Sequence, residues 1–268
     1  MSPHVKRWIT GVIGVVLLLG VIIYGSEAVF SGVIVLIIAV AVLEYHRMML
    51  GQEALWEKFE ILIAALLIAA AFIADDARLI LATLTFSVLA VFFIYLLRIR
   101  DADFGVVAVA KVAFGILYIP LTIGHFILVR RSDQGILWIF FILVLAFAGD
   151  IAAFYVGRTW GRRKLLPLVS PGKTEEGILG LVAGSVIGCL VFRQLFLPSL
   201  PIVHTVALGI AGSVIGQLGD LCESAIKRAS GVKDSGAILP GHGGLLDRLD
   251  CLIFIVPFVY YYRIFVIS

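Results

Sequence analysis

Between Ser224 and Asp250 the chain reads SAIKRASGVKDSGAILPGHGGLLDRLD, holding four Lys or Arg, three Asp, one His and five Gly. Asp220, Ser224, Lys227 and Arg228 stand at i, i+4, i+7 and i+8, so a helix brings them to one face. An ion-paired helix end accounts for Lys227 and Arg228 alone, but not for Asp220 or for Gln217 one turn earlier. Lys233 and Asp234 follow a flexible Ala229-Ser230-Gly231, and then Pro240-Gly241-His242-Gly243-Gly244. Glycines let backbone amides approach a ligand closely, and consecutive amides can cradle phosphate. Asp247, Arg248 and Asp250 come next. Asp247 and Asp250, together with Asp220, offer hard oxygen ligands for Mg²⁺, which takes one or two carboxylates plus substrate phosphates, and Lys and Arg nearby would neutralise phosphate oxygens. The cluster therefore reads as a site for a metal-bound polyphosphate.

The elements that must carry it are apolar. The chain is 62% hydrophobic and 15% charged over 268 residues, with a mean hydropathy of +1.11. Continuous apolar runs of about 20 residues demand membrane-spanning helices. The expectation is an all-α, polytopic integral membrane protein of about nine spans, near 8–24, 28–46, 59–74, 78–97, 105–129, 135–157, 177–195, 200–221 and 248–267. Residues 1–130 read as N-terminal transmembrane helices and 131–268 as the catalytic transmembrane region. Trp8, Trp56, Trp138 and Trp160 fall at span ends, where an interfacial aromatic belt would put them. With the N-terminus in the cytoplasm, fifteen Lys or Arg lie inside and five outside. Arg130-Arg131 is a local violation. Both long polar loops, 158–176 and 222–247, then face the cytoplasm.

The first half shows little chemistry. Lys6, Arg7 and the following apolar run imitate a signal peptide, but further spans follow at once, so a retained first helix is expected. Lys111 is expected to snorkel from its span or to serve helix packing, ahead of substrate contact, and Pro120 should kink the same helix. Cys189, Cys222 and Cys251 form no CxxC pair and read as apolar fillers. In the second half, Asp150 lies in an apolar run eight residues before Arg158, and an intramembrane carboxylate usually faces a bundle interior or a cavity. Lys173 and Thr174 precede the next span, with Thr174 placed to cap it. Gly172-Lys173-Thr174 is no Walker A loop, because Pro167 stands where that motif needs a glycine.

From Ser224 onward the chain resembles the phosphatidate cytidylyltransferases, also called CDP-diacylglycerol synthases. The family's serine, Lys-Arg, Lys-Asp, His-Gly-Gly and Asp-Arg-x-Asp positions are met by Ser224, Lys227, Arg228, Lys233, Asp234, His242, Gly243, Gly244, Asp247, Arg248 and Asp250. Upstream, SPGKTEEG is similar to the family's SPKKTWEG, departing at Gly172 and Glu175. The resemblance implies transfer of CMP from CTP to phosphatidic acid, giving CDP-diacylglycerol and pyrophosphate, with Mg²⁺ and room for a second cation. It implies catalytic work at Asp220, Ser224, Lys227, Asp247 and His242, with Asp220 and Asp247 on the metal. Lys173, Thr174, Arg228, Lys233, Asp234, Gly243, Gly244, Arg248, Asp250 and Asp150 would then bind substrates. A homodimer in the inner membrane, with its site facing the cytoplasm and no nucleic-acid partner, completes the expectation.

A CTP-using membrane enzyme acting on another lipid, such as a polyprenol kinase or an archaeol-type cytidylyltransferase, is the nearest alternative. A secondary transporter with ion sites at Asp150 and Asp220 is a different class, and it leaves the Lys233–Asp250 loop unexplained.

Overall fold

The nine expected spans all fall on helices, although not every one is long and apolar enough to cross a bilayer. The computed structural model describes residues 3–51, 55–98, 105–238 and 243–267. In order come α1 (Pro3–Tyr24), α2 (Glu27–Met49), α3 (Leu55–Ala74), α4 (Ala77–Arg98), α5 (Val106–Tyr118), α6 (Pro120–Ile123), α7 (His125–Arg131) and α8 (Gly135–Trp160). A short hairpin of β1 (Lys164–Leu166) and β2 (Ser170–Thr174) follows. The chain then runs through α9 (Glu175–Phe196), α10 (Ile202–Ala229), a 3-10 turn at Leu246–Arg248 and α11 (Leu252–Tyr262). Six segments among the described residues qualify as spans: Glu27–Met49, Ala77–Leu97, Val106–Arg131, Gly135–Trp160, Glu175–Phe196 and Ile202–Ala229. Glu57, Lys58 and Glu60 crowd the start of α3 and keep it out of that set. The protein is all-α and polytopic, with the hairpin its one small exception among the described residues.

The chain divides into two compact units, Met1–Arg131 with Asp234–Arg248, and Ser132–Lys233 with Leu249–Ser268. In the first unit, Ser26 caps α2 by accepting from the Val29 amide at 3.3 Å. Pro120 interrupts the fifth expected span as its missing N–H dictates, ending α5 at Tyr118 and opening α6. Lys111 ties two helices together, as the packing alternative expects: its ammonium donates to the Met49 carbonyl at the end of α2, 2.8 Å away. The Tyr45 hydroxyl returns the tie by donating to the Lys111 carbonyl at 2.8 Å.

In the second unit, α9 lies close along α8 because its facing positions lack side chains. A Cβ on Gly180 would meet Val156 at 2.7 Å, and one on Gly188 would meet Ala148 at 2.7 Å. Small residues at such spacing let membrane helices pack backbone to backbone. Thr174 caps α9 as expected, accepting from the Gly177 amide at 3.1 Å. The hairpin before it was not foreseen. Glu176 fixes it by accepting the Arg162 amide at 2.9 Å.

Four of the five arginines assigned to the non-cytoplasmic side are tied to backbone carbonyls. Arg130 donates to Gly25 at 3.0 Å, Arg131 to Ile73, Arg193 to Leu200 at 2.8 Å, and Arg263 to Asp133 at 2.9 Å. Gly25, Ile73 and Leu200 lie at or beyond helix ends, where carbonyls lack helical partners, so the Arg130-Arg131 exception has a structural cause. Trp138 corrects its assignment to an interfacial belt. Only 5% exposed, it packs on Phe141 and lies 4.5 Å beneath the Arg263 guanidinium. Trp56 and Trp160 are exposed.

Candidate active site

The helix α10 runs past the apolar segment to Ala229, so its polar end is ordered as helix. Its spacing does align Asp220 and Ser224: the Ser224 hydroxyl donates to Asp220 Oδ1 at 3.3 Å. The other oxygen, Oδ2, receives the Lys173 ammonium from β2. Lys227 is buried and paired at 2.7 Å with Glu223, one turn earlier and fully buried. Each charge answers the other, which offsets part of the cost of burying it. Arg228 is exposed and reaches the carbonyls of Val169 at 3.4 Å and Val232 at 3.2 Å.

Asp250 precedes α11, with Oδ1 accepting the Cys251 amide at 2.7 Å. Asp220 and Asp150 stand close enough to act on its charge, as does the opposite charge of Lys227. Asp150, Asp220 and Asp250 thus form one patch of mutual repulsion in the second unit, with Lys173 and Lys227 as its cations. A Cβ on Gly219 would stand 2.6 Å from the Asp250 carbonyl, so α10 and the start of α11 can approach only because that position is bare. Lys233 is exposed at the end of this unit.

Asp234, Gly243, Gly244, Asp247 and Arg248 belong to the first unit. Asp247 is buried, and its carboxylate organises the segment. Both oxygens accept the Ser235 amide at 3.1 Å, and Oδ2 accepts the Gly244 amide at 2.8 Å. Gly243 has φ +83, and a Cβ there would lie 2.7 Å from Asp247 Oδ2, so both conformation and space call for glycine. Asp234 and Arg248 are exposed. His242 lies outside the described residues, as do Pro240 and Gly241.

Glu44 and Glu223 are the residues the sequence did not single out. Glu44, in α2, is 1% exposed and accepts the Leu245 and Leu246 amides at 3.0 and 2.8 Å and the Ser235 hydroxyl at 3.4 Å. Its signal was a lone carboxylate a turn inside an apolar run, at a place where a solvated helix end is the ordinary reading.

Fold and site define a polytopic membrane protein with an acidic and basic cluster suited to phosphate chemistry. A profile of the Cytidylyltransferase family matches residues 5–266, and the chain belongs to that family. It is 41% identical over 154 residues to a Bacillus subtilis (strain 168) protein named phosphatidate cytidylyltransferase, covering 57% of each chain. A Haemophilus influenzae protein of the same name is 40% identical over 138 residues, 50% of this chain and 48% of that one. An Escherichia coli (strain K12) protein named only as uncharacterized, YnbB, is 47% identical over 128 residues, 48% of this chain and 43% of its own. The chain thus matches about half the length of these curated relatives.

Proposed function

We propose that this protein is a CTP:phosphatidate cytidylyltransferase of the inner membrane, working at the cytoplasmic face. The observation that carries the reading is the α10 cluster, in which Asp220 gathers Lys173 and Ser224 while Lys227 stands one turn beyond. An oxygen of the phosphatidate phosphate attacks the α-phosphorus of CTP. The new P–O bond forms as the bond to the bridging β-phosphate oxygen breaks, and pyrophosphate leaves. Phosphatidate is already anionic, so the step needs alignment and charge neutralisation more than a base.

In this reading Lys173, Lys227, Arg228, Lys233 and Arg248 neutralise phosphate oxygens, and Ser224 donates a hydrogen bond. Thr174, Gly243 and Gly244 act through shape, because Thr174 caps α9 and the Gly244 amide is committed to Asp247. Asp150, Asp234 and Asp250 help set the field that substrates meet, and His242 positions or protonates a phosphate oxygen.

A divalent cation fits the acidic patch: its carboxylates repel one another, and Lys173 already stands against Asp220 as a positive charge. Among the described residues, no three His, Cys, Asp or Glu side chains form a closed metal cage. Mg²⁺ keeps waters and takes few protein ligands. Asp220 would supply a carboxylate to it, and the ion would neutralise charge on the departing pyrophosphate. A homodimer is part of the same proposal.

The test is purified protein with CTP, Mg²⁺ and a panel of lipid phosphates and polyprenols. A CMP-bearing lipid with equimolar pyrophosphate is expected from phosphatidate. Product from polyprenol alone would overturn the reading.

A further inference from the structure

Ser235, Gly244, Leu245 and Leu246 all turn their amides inward, onto two buried carboxylates rather than toward a ligand. Asp247 takes the first two, and Glu44 takes the last two together with the Ser235 hydroxyl. Asp247 is local to the segment, but Glu44 comes from α2, some two hundred residues earlier in the chain. The packing around Glu44 is equally specific. A Cβ on Gly236 would stand 2.5 Å from Oε1, and one on Gly244 would stand 2.7 Å from Oε2. Both glycines are therefore bare where the carboxylate enters. Among the described residues no Lys or Arg forms an ion pair with Glu44, and N–H and O–H groups of this segment answer its charge. Adjacent amides make a natural anion clasp, and a buried carboxylate is stable when such donors answer it.

We propose that Glu44 is the positioning residue of the Asp234–Arg248 segment, fixing where the exposed Asp234 and Arg248 stand for nucleotide binding. This rests on the cytidylyltransferase reading above and extends it into the helices that carry no motif. Glu44 touches no substrate in this role. It holds the backbone from behind, and the motif residues follow.

Glu44→Gln preserves size but replaces one acceptor oxygen by an NH₂ that can only donate. One of the two leucine amides then faces a donor. Hydrogen–deuterium exchange at Leu245 and Leu246 is expected to quicken by about tenfold or more in Glu44→Gln, because a charge-assisted bond is lost. The KM for CTP should rise by about tenfold or more while that for phosphatidate stays within about twofold. Exchange in α9 and the melting temperature should hold, and Glu44→Asp, which keeps both acceptors, should lie between. Unchanged exchange at Leu245 and Leu246 overturns the proposal. So does a loss shared equally by both substrates with a fall in melting temperature, which is what a merely structural glutamate would give. If Glu44→Gln does not fold, Ser235→Ala removes one donor without disturbing bulk, and the same readings should move by roughly two- to fivefold. No movement there also refutes it. If the wild-type protein makes no CDP-diacylglycerol, the functional reading fails, and the exchange comparison still decides whether Glu44 holds the segment.

Discussion

The Glu223–Lys227 pair yields the most exacting stability prediction. The two side chains are 0% and 11% exposed and 2.7 Å apart on one face of α10. Removing either side chain breaks this buried pair, a change that typically costs about 3–5 kcal/mol. Replacing both by apolar residues of similar size is often neutral or stabilising. Glu223→Leu should therefore destabilise by about 3–5 kcal/mol, and Lys227→Met by a similar amount, whereas the double variant should recover most of the loss. Reversible unfolding in mixed micelles, followed by circular dichroism, measures all four proteins of the cycle. Activity should separate from stability: the double variant folds but turns over poorly, because Lys227 no longer reaches phosphate. If the double variant were as unstable as the sum of the singles, the pair would not be coupled. If it kept full turnover, Lys227 would not serve the chemistry.

Three further outcomes follow from the geometry. Gly243→Ala forces a left-handed conformation on a residue with a Cβ and crowds Asp247, so thermal denaturation should show a loss of at least about 1–2 kcal/mol. Thr174→Ala should cost about 1 kcal/mol through the lost cap, while Thr174→Ser should retain it, read from the same melts. Asp220→Asn should lower turnover on the order of 10²-fold across a Mg²⁺ titration, and near-normal Mg²⁺-dependent activity in folded protein would remove Asp220 from the metal.

The α10 face was legible because helical spacing is a strong local signal, and Ser224 does bond Asp220. The break at Pro120 was legible for the same kind of reason, since proline acts on its own backbone. Glu223 escaped because a carboxylate four residues before a lysine looks like a surface pair, and only packing shows it is fully buried. Glu44 escaped because its partners are amides two hundred residues away, and backbone donors leave no trace in side-chain patterns. Trp138 misled because a tryptophan at a span end has two stable surroundings, lipid headgroups or a cation inside the protein, and Arg263 supplies the second. The β1–β2 hairpin is too short for alternation to reveal, and Glu176 fixes it from α9.

The position of a label decides whether the cytidylyl group is transferred. CTP carrying ³²P in the α- or the γ-phosphate would be incubated with the protein, Mg²⁺ and phosphatidic acid in mixed micelles. The α-label is expected in a lipid product that comigrates with CDP-diacylglycerol, and the γ-label only in pyrophosphate. A lipid carrying the γ-label, or no labelled lipid at all from active, folded protein, would contradict cytidylyl transfer.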